Sequence, residues 1–208
     1  MDDAAFLTKG ITARNSISYP DIIIPSNGTT FIMGESGTGK TTLLKLFNQT
    51  ETQTSGSIYF FGSDVSGMDA VALRSAAILC GQKVFLFNDT IRNNFNEFRQ
   101  AAEKGQMSDD DMKKYLSICH ADRDLDKQCK NLSGGERARV FISICLSFRP
   151  KVLMLDEPTS SLDNDTAISV MKNIRSYCAE NGMTLIAVSH DRSIIDAADN
   201  IITLGGKV

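Results

Sequence analysis

The sequence of 208 residues predicts an α/β fold, a wound and mainly parallel sheet with a small N-terminal antiparallel β subdomain and an inserted α-helical subdomain. Segments typical of buried strands alternate with helical segments on both sides of the middle of the chain. Residues 152–155 and 185–188 are continuous apolar runs, as in parallel strands that are buried on both faces. The segment 83–131 between the two halves is rich in charge, helical in pattern and without a convincing strand.

The first half of the chain predicts strands separated by turns. From about residue 7 to residue 33, short apolar stretches alternate with turn residues, which is typical of a small antiparallel sheet. Residues 29–33 are β-branched or apolar and predict a buried strand. Further elements are expected in this order: a helix over 43–47, a strand over 57–61, a short helix over 71–75 and a strand over 76–80.

The second half predicts capped helices and further strands. Ser108 followed by three aspartates is typical of a helix N-terminus, although an acidic metal site is the alternative interpretation of the aspartates. A long helix is expected from Ser133 to Arg149, where Pro150 ends it. Further along, the pattern predicts a helix over 165–181, a short helix over 194–198 and a last strand over 201–204.

One loop matches the phosphate-binding pattern G-x-x-x-x-G-K-[ST]. Its residues are Gly34, Glu35, Ser36, Gly37, Thr38, Gly39, Lys40, Thr41 and Thr42. The glycines let consecutive backbone N–H groups and the helix N-terminus surround a polyphosphate. We expect Lys40 to reach the β- and γ-phosphates and the Thr41 hydroxyl to bind Mg²⁺. A glycine-rich turn that matches by accident is the alternative, but the flanking strand and helix favour a P-loop NTPase fold.

Two carboxylates follow the apolar run 152–155, at the strand end where ligands of open α/β sheets bind. Asp156 is placed to hold Mg²⁺, and Glu157 is placed to face an attacking water as a base. A solvated acidic turn is the alternative interpretation.

Composition limits the classes of function. A net charge of -3 argues weakly against nucleic acid as the main ligand. No apolar run approaches the length of a membrane span, and the N-terminus lacks the build of a signal peptide. The five cysteines show no zinc-ligand spacing and are expected to be free thiols in a reducing cytosol. We therefore expect a soluble chain whose work at a membrane would need another chain.

Over essentially its whole length, the chain resembles the nucleotide-binding subunits of the ABC ATPases. The resemblance is carried, besides the phosphate loop, by Gln82 after a strand, Leu132-Ser133-Gly134-Gly135-Glu136, Asp156-Glu157-Pro158-Thr159, Ser160-Ser161-Leu162-Asp163 and Ser189-His190-Asp191. The segment beginning Leu132 is similar to the family's signature and is the most specific of these. The resemblance implies one ABC ATPase domain over 1–208, with 1–82 and 132–208 as the nucleotide-binding core and 83–131 as the helical subdomain.

The resemblance also implies a site shared by two subunits. In a head-to-tail dimer, each ATP lies between the phosphate loop of one chain and Ser133, Gly134 and Gly135 of the other, with Asp163 at the seam. Mg²⁺ and ATP are the expected cofactors. The implied metal contacts are Thr41, Gln82 and Asp156, and the implied catalytic residues are Glu157, His190, Lys40 and Gln82. His190 is expected to hydrogen-bond the γ-phosphate and help orient water.

The implied function is ATP hydrolysis that drives transport through a separate transmembrane permease subunit, with this chain on the inner face of the cell membrane. The apolar segment 84–95 is expected to lie partly in the core and partly in a groove for that membrane subunit, and residues 86–92 are similar to exporter-type members. One alternative is a non-transport ABC ATPase that acts on nucleic acid or the ribosome. Another is a regulatory module without hydrolysis, against which Glu157 and His190 argue.

Two departures from the family pattern stand out. The family usually stacks adenine on an aromatic residue upstream of the phosphate loop, and the expected region from Lys9 to Ala13 has none; Phe6 is too early and Tyr19 too late. Adenine binding is therefore expected to use another contact. Residues 126–130 also lack the acidic stretch that exporters tend to carry before the signature.

Overall fold

The computed structural model describes residues 4–14, 17–195 and 198–205. Its strands fall into two sheets. The strands are β1 (Ala4–Ala13), β2 (Ile17–Ser18), β3 (Ile23–Pro25), β4 (Thr29–Gly34), β5 (Ser55–Phe60), β6 (Ser63–Asp64), β7 (Ala77–Cys80), β8 (Val152–Asp156), β9 (Thr184–Val188) and β10 (Asn200–Leu204).

The first five-stranded sheet is parallel, with the strand order β10-β4-β9-β8-β7. All residues of β8 and β9 are buried, because helices cover both faces of the sheet. The second sheet is antiparallel, with the order β2-β1-β5-β6 and with β3 also paired to β1. Both sheets were expected from the sequence, and the predicted fold class is confirmed.

The helices follow the strands in the expected alternation. They are α1 (Lys40–Phe47), α2 (Ala70–Ala76), α3 (Ile91–Ala101), α4 (Asp109–Ile118), α5 (Gly134–Ser147), α6 (Asn164–Glu180) and α7 (Arg192–Ile195), with short 3₁₀ turns at Val65–Gly67 and Cys129–Asn131. Ser108 caps α4 by accepting a hydrogen bond from the Asp111 backbone N–H, so the cap interpretation is the one that the structure supports. The whole of 83–131 is described and contains helices and no strand.

Several boundaries differ from the sequence expectation by one to three residues. Ala76 is the last residue of α2 and not the first residue of a strand. The pairing of β7 with β8 begins one residue later, at Ala77. Phe61 falls outside β5, where a positive φ of 45° turns the chain away. The short helix expected over 194–198 is observed as Arg192–Ile195; residues 196 and 197 lie outside the described part, and Ala198 is not helical.

Two apolar clusters hold these layers together. One packs the parallel sheet against α3, α4, α5 and α6, with Phe31, Phe95 and Leu155 fully buried in it. The other joins the opposite face of the parallel sheet to α1 and the antiparallel sheet, and there the Phe6 and Phe47 rings stack with centroids 4.4 Å apart. Both faces of the parallel sheet are therefore packed against other elements. This packing holds the carboxyl ends of its strands in a defined geometry.

Candidate active site

Four strands of the parallel sheet end at the same level. The register pairs Ile32 of β4 with Val188 of β9, and Val188 with Asp156 of β8. Cys80 of β7 pairs with Leu155 of β8. The loops that follow these strands carry the phosphate loop, His190, Glu157 and Gln82, so the sheet order brings them to one edge.

The phosphate loop bends through glycines with positive φ. Gly37 and Gly39 have φ of 86° and 92°, and Gly39 precedes the first residue of α1. A Cβ atom on Gly34 would lie 2.5 Å from the Leu204 carbonyl oxygen and 2.9 Å from the Thr38 hydroxyl. The close approach of β10 therefore fixes the first glycine of the motif, which the pattern alone did not explain.

Lys40 is held across the loop. Its Nζ donates hydrogen bonds to the carbonyl oxygens of Gly34 and Glu35, each at 2.8 Å, and the residue is only 7% exposed. Tyr19 contacts the other end of the loop: its hydroxyl donates a hydrogen bond to the Gly39 carbonyl oxygen at 2.9 Å. Burial raises the pKa of Tyr19 to about 12, so the hydroxyl keeps its proton. The loop is thus shaped by contacts at both of its ends.

Asp156 is a buried carboxyl at the end of β8. It is 2% exposed, and within the described part of the chain neither carboxylate oxygen has a hydrogen-bond partner. Burial raises the pKa of Asp156, and the neighbouring Glu157 charge adds to this effect. The side chains of Thr41, Lys45 and Lys40 act in the opposite direction. Such an unsatisfied carboxylate suits a cation.

Glu157 and His190 are in direct contact. The Glu157 backbone has a φ of 52°, a conformation that is uncommon outside glycine, and its N–H donates to the Val188 carbonyl oxygen at 3.1 Å. This turn directs the carboxylate towards the loop after β9. His190 Nε2 lies 3.2 Å from Glu157 Oε1. Both side chains are partly exposed, so water has access to them.

Most of these groups, though not Asp156 or Tyr19, line one cleft of about 310 Å³. Its described lining includes the phosphate loop together with Gln82, Glu157 and His190. Gln82 is exposed and also borders a second cleft of about 270 Å³, which lies between Asp156 and the first turns of α5. The structure therefore brings together the phosphate loop and three of the residues that the resemblance assigned to catalysis.

The signature residues lie elsewhere. Ser133 caps α5 in a full capping box: its hydroxyl accepts from the Glu136 N–H, and the Glu136 carboxylate accepts from the Ser133 N–H at 2.8 Å. Gly134 is exposed, and a Cβ atom there would meet nothing within 4 Å. None of Ser133, Gly134 and Gly135 is among the described residues that line the 310 Å³ cleft. Gly134 instead borders the 270 Å³ cleft, whose described lining also includes Gln82 and Glu157, and the free space at its Cβ position leaves this helix N-terminus with an open surface.

Asp163 and Gly135 connect the signature to the loop after β8. Asp163 is exposed and caps α6 by accepting from the Thr166 N–H at 3.0 Å; these hydrogen bonds lower its pKa. A Cβ atom on Gly135 would lie 3.0 Å from the Ser161 carbonyl oxygen and 3.1 Å from Leu162. The loop 160–163 therefore packs directly against the start of α5.

The apolar segment 84–95 divides between core and surface. Leu86, Ile91 and Phe95 are buried. Phe85 and Phe87 are 58% and 37% exposed, and their ring centroids lie 5.0 Å apart. The predicted core part is confirmed, and two adjacent aromatic rings remain at the surface.

Sequence reasoning missed Arg14 and Ile17, which also line the 310 Å³ cleft. Arg14 directly follows β1, and Ile17 is the first residue of β2, both at the antiparallel sheet. No motif marks them, since their place at the cleft depends on how the two sheets pack. The segment in which the family's adenine-stacking residue is expected ends at Ala13, one residue before Arg14.

Among the described residues, no helix has the length and apolar character needed to cross a bilayer. This finding concerns 4–14, 17–195 and 198–205 alone.

Comparisons with known proteins identify the family. A family model described as ABC transporter matches residues 20–160. The probable iron export ATP-binding protein FetA of Escherichia coli (strain K12) is 36% identical over 83% of this chain and 77% of its own length. The ATP-dependent lipid A-core flippase of Vibrio vulnificus (strain YJ016) is 30% identical over 97% of this chain, which spans only 35% of the flippase.

A solved structure shares the fold. It is a dimeric ATP-binding cassette in a post-hydrolysis state, bound to ADP and Pi, and superposes with a TM-score of 0.83 at 23% identity over 96% of this chain and 94% of its own. The family model covers more than half of the chain, and FetA is well above 30% identical over most of both proteins. The chain is an ATP-binding member of the ABC transporter family.

Proposed function

We propose that this chain hydrolyses ATP to ADP and phosphate and thereby drives transport through a separately encoded membrane subunit. The observation that carries the proposal is the convergence of Lys40, Gln82, Glu157 and His190 on one cleft, beside the buried Asp156. A domain that only bound nucleotide would need the phosphate loop but not a carboxylate in contact with a histidine. The presence of that pair favours hydrolysis over a regulatory role.

The phosphate loop supplies binding. Backbone N–H groups of 36–41, at the N-terminus of α1, surround the phosphates, and Lys40 exchanges its two carbonyl partners for phosphate oxygens. Because hydrogen bonds from the Lys40 ammonium group to carbonyl oxygens are replaced by hydrogen bonds to phosphate oxygens, the exchange costs little free energy. The loop is therefore suited to hold a triphosphate in one position.

The metal site fits Mg²⁺. Asp156 offers two unsatisfied buried oxygens, and the Thr41 hydroxyl and Gln82 amide supply neutral oxygens. Mg²⁺ usually takes one or two protein carboxylates and completes its shell with phosphates and water. When bound, Mg²⁺ neutralises charge that develops on the phosphates.

Glu157 and His190 have separate roles in the proposed hydrolysis. Glu157 accepts a proton from the attacking water, and its accessible carboxylate can contact that water in the cleft. His190, held against Glu157 Oε1, orients the same water and hydrogen-bonds the γ-phosphate. Gln82 lines both clefts, so its side chain could contact bound Mg²⁺ and the attacking water.

We propose that the working form is an ATP-dependent head-to-tail dimer. The open surface at Ser133 and Gly134 is a helix N-terminus with free space above it, so it can approach the γ-phosphate held by another subunit. Asp163, packed through its loop against the same helix, then lies at the seam. In this arrangement, 83–131 is a helical subdomain that directly precedes the signature, and 1–82 and 132–208 form the nucleotide-binding core.

We propose that the membrane subunit binds at the exposed rings of Phe85 and Phe87. These residues follow Gln82 closely in the sequence. We infer that a chain bound in this way lies on the inner face of the membrane. The names of FetA and of the flippase support export as the direction.

The test is an affinity pull-down of the Glu157→Gln variant with ATP and Mg²⁺ from detergent-solubilised native membranes, with partners identified by mass spectrometry. We expect a multi-span protein to be recovered. A Phe85→Ser change in the same background should lose it, whereas Val71→Ser, which alters another exposed residue away from the cleft, should retain it. Recovery of only soluble partners or nucleic acid would favour a non-transport ABC ATPase instead.

A further inference from the structure

The cleft that holds the phosphate loop has a second wall. Besides the loops of the parallel sheet, Arg14 and Ile17 of the antiparallel sheet line it. Ile17 lies close to the start of α1, since a Cβ atom on Gly39 would come within 3.0 Å of its Cγ2. A nucleotide whose phosphates occupy the loop would therefore extend its ribose and base along this wall.

Arg14 is held in a fixed orientation. Its Nε donates to Glu51 Oε2 at 3.1 Å, and its Nη2 donates to the other oxygen of the same carboxylate. Lys45 of α1 lies 3.4 Å from Glu51 and steadies the acceptor. Two parallel hydrogen bonds to one carboxylate fix the plane of a guanidinium, while the Arg14 side chain remains 58% exposed. The result is a flat, charged surface on the cleft wall.

A purine base needs such a surface, because it binds by stacking on an aromatic ring or a guanidinium plane. No phenylalanine, tyrosine or tryptophan is found among the described residues that line this cleft. Tyr19 is nearby, but it is only 6% exposed and its hydroxyl is bound to Gly39. We propose that the Arg14 guanidinium, oriented by Glu51, is the surface on which the base of bound ATP stacks, with Ile17 as its apolar neighbour.

This inference rests on the proposed nucleotide-binding role of the cleft. Arg14 could also favour binding through its charge alone, by attracting phosphate. The two effects separate by substitution, since Arg14→Lys keeps the charge and loses the plane, whereas Arg14→Tyr loses the charge and restores a plane. Inorganic tripolyphosphate, which has no base, reports the phosphate contribution by itself.

The experiment measures dissociation constants of ATP and tripolyphosphate by calorimetry for the wild type and for Arg14→Ala, Arg14→Lys and Arg14→Tyr. Stacking predicts that the alanine and lysine variants bind ATP roughly three- to tenfold more weakly and that the tyrosine variant stays near the wild type. Tripolyphosphate affinity should change less than about twofold in the lysine variant. The matched control is Arg99→Ala in the segment 83–131, which should leave both constants unchanged.

Two results would overturn the inference. The first is wild-type ATP affinity in Arg14→Ala. The second is a loss of affinity in Arg14→Ala that is equal for ATP and tripolyphosphate and is absent in Arg14→Lys. Thermal unfolding of each variant checks that loss of the ion pair with Glu51 has not unfolded the protein. If the wild type bound neither ligand, the proposed function itself would fail, and this outcome is distinct from a failure of Arg14 alone.

Discussion

His190 Nε2 lies 3.2 Å from Glu157 Oε1, at the carboxyl edge of the parallel sheet. The two residues come from loops after different strands, β9 and β8, and meet because these strands are neighbours. A carboxylate that touches a histidine beside a phosphate loop suits proton transfer from water.

His190→Ala should lower kcat for ATP hydrolysis by about 100-fold or more, because the water and the γ-phosphate lose a positioned hydrogen-bonding group. ATP affinity should change little. Steady-state phosphate release and equilibrium binding of labelled ATP measure the two quantities. His120→Ala, at the far end of α4, is the matched control and should retain activity; equal losses in both variants would count against the proposed role.

Lys40→Ala should weaken ATP binding roughly 10- to 100-fold, since charge-assisted hydrogen bonds to phosphate are lost. A titration with labelled ATP tests this. Lys113→Ala changes an exposed lysine on α4 and should bind normally. Unchanged affinity in the Lys40 variant would mean that the nucleotide binds elsewhere.

Gly134→Ala should leave the free energy of unfolding unchanged or slightly raised, because its Cβ meets open space. The added methyl would obstruct the approach of a second subunit, and ATPase activity should fall roughly 100-fold. Gly135→Ala provides the contrast, since its Cβ is 3.0 Å from the Ser161 carbonyl oxygen, and should cost about 1 kcal/mol of stability. Urea denaturation and ATPase assays compare the variants. Full activity in Gly134→Ala would argue against the shared site.

Glu136→Gln should lower stability in a pH-dependent way. The Ser133 N–H and the Arg123 guanidinium hold the pKa of Glu136 at about 2, well below its usual value. A lowered pKa in the folded state stabilises the protein above the usual glutamate pKa of about 4, and this contribution disappears as pH falls towards about 2.

The Glu136→Gln variant should therefore be less stable by about 1 kcal/mol near pH 7, with the difference shrinking as pH falls through about 4. Urea denaturation at several pH values measures it. Glu97→Gln, on the exposed face of α3, should show no such trend. A difference that stayed constant with pH would rule out the carboxylate charge as its source.

Much of this architecture could be predicted from sequence because its signals are local. The capping box at Ser133, the cap at Ser108 and the apolar run before Asp156 each depend on residues a few positions apart. The boundary at Ala76 could not be predicted, because the pairing of β7 with β8 decides it. The Asp156 environment and the contact of Glu157 with His190 depend on strand order.

Arg14 shows the limit of motif reasoning most clearly. It follows β1, more than twenty residues from Lys40 in sequence, and reaches the cleft because the antiparallel sheet packs beside α1. Its partner Glu51 follows α1. Neither residue belongs to a sequence motif of the site, so only the packing of the two sheets connects them to it.

The most direct test of the central claim is the Glu157→Gln variant, assayed for ATP binding and single-turnover hydrolysis in the same sample with Mg²⁺. This variant should bind ATP with wild-type affinity, hydrolyse it about 10²- to 10⁴-fold more slowly and form an ATP-dependent dimer on size-exclusion chromatography. Glu180→Gln, at the end of α6, serves as the matched control. Hydrolysis by Glu157→Gln at the wild-type rate would contradict the assignment of Glu157 as the base.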